Sequence, residues 1–271
     1  MSPSSGIVSG LDGHTRLYWE ARGRGAPVLL VHGLGLSGGA WWRTVDALAP
    51  AMRVITFDHR GIGRSESWTY AYTTEALADD AVSILDELAI EKVHIYGFSL
   101  GGMVAQQVAL RHPRRVRSLV LGATHPGGRR VVAPEPEVLA FFRRRARLPS
   151  EQAAWASVPY NYGPRTRAEH VDRIAEDIER RLENPFRERA YRAQLLAVSL
   201  HNCYGRLERI RAPTLVVHGA RDRMIPVANG HLTAQRVPGA QMKILQDAGH
   251  LYPTEEPAVD KAIGEFFAAH A

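Results

Sequence analysis

Short apolar runs rich in β-branched residues alternate along this chain with longer stretches whose apolar positions recur every three to four residues. That pattern predicts repeated strand and helix units around a mostly parallel α/β sheet. Three runs are sharp: Pro27 to His32 (PVLLVH), Val93 to Tyr96 (VHIY) and Thr214 to His218 (TLVVH). Each ends at a glycine, as strands buried on both faces tend to do. Weaker strands are predicted over Arg53 to Phe57, Val116 to Leu121 and Gln241 to Leu245. Between them, Thr74 to Leu88 sets Leu77, Ala81, Ile84 and Leu88 on one helical face, and Gly102 to Leu110 follows the same spacing. Thr73 or Thr74 supplies the cap that starts the first of these helices.

The alternation stops at about His125 and resumes at about Pro213. The intervening stretch carries PGGRR, APEPE and PSEQ breaks, then amphipathic patterns at His170 to Leu182 and Glu188 to Leu200, with no strand of comparable strength. The expected organisation is a core domain of residues 1–124 and 210–271, with residues 125–209 inserted as a helical cap between two strands of its sheet. No repeat, low-complexity tract or flexible linker interrupts it.

With 271 residues, 45% of them hydrophobic and 23% charged, the chain has material for one large α/β domain with a sizeable core. The opening MSPSSGIVSG has neither a basic start nor a signal-length apolar run, and no stretch approaches the roughly 18 apolar residues of a membrane span. The expectation is a soluble, cytoplasmic protein with no membrane partner. Cys203 is the only cysteine, so no internal disulfide or cysteine-based metal site can form, and it reads as a small buried hydrophobe. The net charge of +6 comes from arginine dispersed among acids, which argues against a nucleic-acid partner. The densest basic run, Arg143, Arg144, Arg145 and Arg147, reads as a solvated helix face, with reception of a substrate carboxylate as the alternative.

Candidate chemistry begins at Gly97-Phe98-Ser99-Leu100-Gly101, a G-x-S-x-G sequence placed after a predicted strand and before a predicted helix. A serine on so tight a turn projects its hydroxyl into a cleft, and the helix start aims N–H groups at the same point. The hydroxyl needs a base, and imidazole titrates near working pH. Among twelve histidines, His250 is the candidate, because Asp247-Ala248-Gly249-His250 forms a glycine turn after the last predicted strand. His32, His94 and His201 read as structural or pocket-lining. The carboxylate that orients the base is assigned to Asp222, on the loop after Thr214 to His218. The loop after Leu121 reads Gly122-Ala123-Thr124 and offers no acid, Asp247 is too near His250 in sequence, and Asp58 is expected to pair with Arg60. The oxyanion donors are assigned to the backbone N–H groups of Leu100 and of Leu34, in the loop His32 to Gly39. That loop lacks the Walker lysine and the G-x-G-x-x-G spacing, which sets a nucleotide cofactor aside.

With these residues in place, the chain resembles the α/β-hydrolase superfamily, particularly the small bacterial branch of 3-oxoadipate enol-lactonases, cofactor-free haloperoxidases and esterases. The matching pieces are VLLVHGLG, FDHRGIGRS, YGFSLGGMVAQQVALRHPRRVRSLVL, PTLVVHGARDRMIP and AGH, spread over nearly the whole chain. The resemblance implies an eight-stranded sheet, a helical cap after the sixth strand and a substrate pocket between them. Haloalkane dehalogenases and epoxide hydrolases carry aspartate where Ser99 stands, so their alkyl-enzyme chemistry is not expected here.

The expected reaction is hydrolysis of a small, largely apolar ester or lactone through an acyl-enzyme, with no cofactor and no metal. Carbon–carbon bond hydrolysis of a β-diketone and a biosynthetic lyase or cyclase reaction are alternatives that use the same site; a small-molecule receptor is a third. Trp41, Trp155, Tyr160 and Leu251 are the expected substrate contacts. The oligomeric state is not legible.

Overall fold

The unbroken apolar runs form the centre of a single sheet. The computed structural model describes residues 4–70, 72–145 and 147–271. Its strands are β1 (Ser4–Ser9), β2 (Arg16–Arg22), β3 (Pro27–Val31), β4 (Arg53–Phe57), β5 (Val93–Phe98), β6 (Val116–Gly122), β7 (Thr214–Gly219) and β8 (Gln241–Leu245). They join in the order β1-β2-β4-β3-β5-β6-β7-β8. β2 runs antiparallel to β1 and β4, and the other pairings are parallel. The six segments predicted from apolar runs are β3 to β8. β1 and β2 escape that criterion, because β1 (SSGIVS) buries no residue fully and β2 (RLYWEAR) buries only alternate positions.

The sheet is flanked on both faces. Over one face lie α2 (Thr74–Glu87) and α3 (Leu100–Arg111), which pack Leu77, Ile84, Val104 and Val108 against Leu29, Ile95 and Leu119. Over the other lie α1 (Trp42–Leu48) and α12 (Ala258–Ala268), which pack Leu48, Ile263 and Phe267 against Leu30, Tyr96 and Val120. Alternate residues of the same strands thus enter opposite cores, which is why these strands read as continuous apolar runs. The start of α2 falls on Thr73, whose Oγ1 accepts from the Ala76 N–H at 3.1 Å. Cys203 is buried in the first of the two cores.

Between β6 and β7 the chain passes through α4 (Pro136–Arg145), α5 (Ser150–Ala156), α6 (Val158–Asn161), α7 (Pro164–Glu169), α8 (Val171–Leu182) and α9 (Glu188–Leu200), and α10 (Ala228–Arg236) and α11 (Tyr252–Glu255) follow later. The two ends of this insert meet: Gly127 bridges Asn202, and the Cys203 N–H donates to the Pro126 carbonyl at 2.7 Å. Among the described residues no helix is long and apolar enough to cross a membrane.

Asp260, in the first turn of α12, is buried at the foot of the second core. Its Oδ2 accepts from Thr44 Oγ1 at 2.8 Å, and Oδ1 has no partner among the described residues. Burial pushes the carboxyl up to about 7. A carboxyl raised above its unfolded value carries no penalty below about pH 4; the penalty grows as the pH rises and levels off above about pH 7. At about 1.4 kcal/mol per pH unit the full penalty is about 4 kcal/mol. Asp260→Asn is therefore expected to raise the urea midpoint at about pH 8 and to flatten its decline between about pH 5 and pH 8. Parallel pH slopes in the two proteins would contradict this.

Candidate active site

β5 ends at Phe98 and α3 begins at Leu100, so Ser99 alone makes the strand-to-helix turn. It adopts φ 56° and ψ −119°, a region that costs a residue with a side chain about 1–3 kcal/mol. Neighbours hold the strain. The Ser99 N–H donates to the Gly122 carbonyl at 2.8 Å, and Thr124 Oγ1 donates to the Ser99 carbonyl at 2.8 Å. The flanking glycines let the strand and helix meet: a Cβ on Gly97 would lie 2.3 Å from the Gly101 carbonyl oxygen, and one on Gly101 would lie 1.9 Å from that of Val31. Both obstacles are backbone, so no rotamer relieves them. Gly101→Ala is expected to cost about 3 kcal/mol or more, read as a drop in the urea midpoint.

His250 lies across the turn from Ser99, its Nε2 at 3.1 Å from Ser99 Oγ and its Nδ1 at 2.8 Å from Asp222 Oδ2. A carboxylate only accepts, so Nδ1 carries the hydrogen and Nε2 is left to accept from the serine hydroxyl. All three side chains are nearly out of contact with solvent. Asp222 is itself over-determined: Oδ1 accepts the N–H groups of Met224 and Ile225 at 2.9 and 2.8 Å. His218 Nε2 stands 2.8 Å from the Ile225 carbonyl and 3.2 Å from Asp222 Oδ2. Burial works to raise the Asp222 carboxyl, but the two imidazoles and their hydrogen bonds bring it down to about 2. The stability gained from this carboxylate is thus complete above about pH 4 and lost as pH falls toward 2.

The histidine loop is anchored to the insert. The Glu255 carboxylate accepts the Gly249 N–H at 2.6 Å and the Gly163 N–H at 2.7 Å, while the Leu251 N–H donates to the Asn161 carbonyl at 2.9 Å. Burial raises the Glu255 carboxyl, against the Thr166 hydroxyl and the two backbone N–H groups that favour its charged form.

The loop after β3 closes the other side. A Cβ on Gly33 would sit 3.2 Å from Ser99 Cβ, so this loop passes directly against the serine. His32 Nδ1 donates to the Gly33 carbonyl at 3.2 Å and Nε2 accepts from the His59 N–H at 3.3 Å, an arrangement of the neutral ring, and burial depresses its pKa to match. The Gly35 N–H is taken by Gln194 Oε1 at 2.8 Å and the Gly38 N–H by Asp58 Oδ1 at 2.7 Å. The N–H groups of Leu34 and Leu100 have no acceptor among the described residues. Asp58 is not the partner of Arg60. Arg60 instead forks onto Asp80, with both bonds at 2.6 Å, because Asp80 is a fully buried carboxylate on α2 that needs a cation.

A cavity of about 690 Å³ opens over Ser99 and His250, with walls from the insert, the β3 loop and α3. Leu34, Leu36, Met103, Leu139, Leu195 and Leu251 give it an apolar lining. Of the four residues expected to contact substrate, Leu251 lines this cavity, and Trp41, Trp155 and Tyr160 do not. Trp41 is buried in the core over α1, 4.7 Å from the Tyr96 ring, and lines a smaller pocket of about 40 Å³ beside His32. Trp155 is 44% exposed, because α5 turns Ala153 and Ala154 inward. Tyr160 packs against Phe141, 4.8 Å between ring centroids, and the Arg223 guanidinium carbon lies 5.3 Å from its centroid.

A buried imidazole bridging a strained serine and a carboxylate is an arrangement able to activate a hydroxyl for attack on a carbonyl. The family model described as alpha/beta hydrolase fold matches residues 26–257. The chain belongs to this family. Over 98% of its length this hydrolase is 31% identical to a protein of Caulobacter sp. (strain K31) named for carbamate hydrolysis, of which it covers 99%. A solved thermophilic esterase from Thermogutta terrifontis matches it with a TM-score of 0.84 at 29% identity, covering 99% of this chain and 100% of the esterase. The enol-lactonase from Burkholderia xenovorans LB400 matches with a TM-score of 0.85 at 25% identity, covering 97% and 100%. Sequence reasoning passed over His218, which had a legible signal, four residues before Asp222 at a strand end. Arg143 and Arg145, in the run read as a solvated face, line the cavity.

Proposed function

We propose that this hydrolase cleaves a carboxylic ester or lactone of a small, largely apolar molecule through an acyl-enzyme on Ser99. The observation that carries the reading is the single imidazole within hydrogen-bond reach of both Ser99 Oγ and Asp222 Oδ2, at 3.1 and 2.8 Å. In this reading His250 Nε2 takes the Ser99 proton as Oγ adds to the carbonyl carbon, and the imidazolium is stabilised by Asp222. The carbonyl oxygen, now negative, accepts from the free N–H groups of Leu34 and Leu100; such a donor contributes about 3–4 kcal/mol to the transition state. His250 then returns the proton to the leaving oxygen, and a water deprotonated by the same nitrogen releases the acid. His218 is a positioning residue for Asp222. Residues 125–209 act as a cap, and their apolar wall supports a substrate that is mostly hydrocarbon.

A fluorophosphonate probe tests the reading directly. Wild-type protein is expected to gain one phosphonyl adduct, mapped by mass spectrometry to the peptide containing Ser99, and Ser99→Ala to gain none. An adduct at another residue, or none on the folded wild type, would overturn it.

A further inference from the structure

Two histidines besides His250 line the cavity, His125 and His201, and they differ in what their ring nitrogens have to do. His201 is spent on the protein. Its Nδ1 stands 3.0 Å from Thr74 Oγ1 and its Nε2 3.4 Å from Gln106 Oε1. The amide oxygen only accepts, so Nε2 carries the hydrogen and Nδ1 accepts from the threonine. Asn229, a neutral amide of the same wall, is consumed as well, at 2.8 Å from both the N–H and the carbonyl of Val132. His125 is used at one nitrogen only. Its Nδ1 accepts the Gly127 N–H at 3.1 Å, and a ring nitrogen that accepts carries no hydrogen, so the hydrogen of the neutral ring is on Nε2. That N–H has no acceptor among the described residues and is not sealed in by protein.

The position of this donor is fixed from both sides. Gln106 Nε2 donates to the His125 carbonyl at 3.2 Å, and Gly127 is locked where the ends of the insert meet, since a Cβ there would lie 1.9 Å from the His201 carbonyl oxygen. The donor also stands near the reacting serine: the carbonyl of Gly122 and the hydroxyl of Thr124 bond the Ser99 backbone, and His125 is the next residue. Burial, with a smaller push from His218, lowers the His125 pKa to about 4, so the ring is uncharged near neutral pH. An uncharged N–H in a largely apolar wall is complementary to an uncharged oxygen, and it discriminates because a ligand without one leaves it unpaired. We propose that the Nε2–H of His125 is a specificity determinant, receiving an uncharged acceptor oxygen that the substrate carries a few bonds from the ester or lactone carbonyl attacked at Ser99. This rests on the serine-hydrolase reading above and narrows its substrate class to molecules with a ketone, hydroxyl or ether oxygen beside the scissile bond.

The test places a ketone on either side of the ester. On the acyl side, p-nitrophenyl 4-oxohexanoate and 5-oxohexanoate are compared with p-nitrophenyl hexanoate; on the alcohol side, 3-oxopentyl and 4-oxopentyl acetates are compared with pentyl acetate. Each rate is divided by that of hydrolysis by hydroxide, which removes differences in intrinsic reactivity. Wild-type kcat/KM is expected to favour the best-placed ketone about 10-fold over its parent, the scale of one hydrogen bond to an otherwise unpaired donor. His125→Leu is expected to bring that ratio toward one, and a ratio within one protein is insensitive to how much of the variant is folded. A wild-type ratio below about twofold for every ketone, or a preference unchanged in His125→Leu, overturns the proposal. Ring-nitrogen NMR of Ser99→Ala reads the contact without hydrolysis. There the keto esters are expected to move the Nε2–H signal that is lost in Ser99→Ala/His125→Gln, while their parents leave it in place. Such a shift upholds the role of His125 even if the serine reading fails, and Ser99-dependent turnover of keto and parent esters at equal efficiency upholds the serine reading while the role of His125 fails.

Discussion

Ser99→Ala is expected to lower kcat for p-nitrophenyl acetate by about 10⁶-fold, the scale on which a serine nucleophile acting as one unit with its base is lost. The substitution removes one oxygen from a turn whose conformation is held by backbone, since the Ser99 N–H and carbonyl keep their bonds to Gly122 and Thr124. Alanine at φ 56° bears a similar strain to serine, so the variant is expected to unfold at nearly the wild-type urea concentration. The comparison therefore separates chemistry from folding. Turnover within about tenfold of wild type in the folded variant would remove Ser99 from the reaction and leave the cavity without a nucleophile.

Asp222→Asn is expected to lower kcat by about 10⁴-fold with KM nearly unchanged. The reason lies in the two oxygens of Asp222. Oδ1 is committed to two backbone N–H groups, of Met224 and Ile225, which only an oxygen can accept. In an asparagine the amide oxygen must stay there, and the NH₂ group is turned toward His250 Nδ1. That nitrogen then has to accept, the ring hydrogen moves to Nε2, and the atom facing Ser99 becomes a donor instead of a base. The cavity is untouched. Steady-state kinetics on p-nitrophenyl butyrate decide it: a loss of less than about tenfold would show that the carboxylate does not set the tautomer.

What could be read from the sequence follows the kind of signal each element emits. Strands buried on both faces announce themselves as apolar runs, and β3 to β7 follow the predicted segments within a residue or two, whereas β8 matches its predicted segment although none of its residues is buried. β1 and β2 lie at the antiparallel edge and speak only through alternation, as in Leu17, Trp19 and Ala21. Substrate-facing residues are harder, because a helix conceals its orientation until something packs against it. Trp155 and Arg145 show both directions of that error: an aromatic side chain turned to solvent, and a charged one turned to the interior. The spacing Val138, Phe141, Arg145 carried the second answer, but a charged residue completing an apolar stripe is ordinarily assigned to its edge.

The Glu255 carboxylate, shared between Gly163 and Gly249, bears on how such a fold can be re-engineered. The region that shapes the cavity is not a detachable module. A Cβ at Gly163 would fall 2.1 Å from the Asp247 carbonyl oxygen, and one at Gly249 would fall 2.8 Å from the Gly163 nitrogen, so the two backbones interlock at the residue preceding His250. Transplanting residues 125–209 from a relative would carry a foreign contact to the loop that holds His250. A chimera made to change substrate choice would have to preserve this seam, or it would lose reactivity toward every substrate at once.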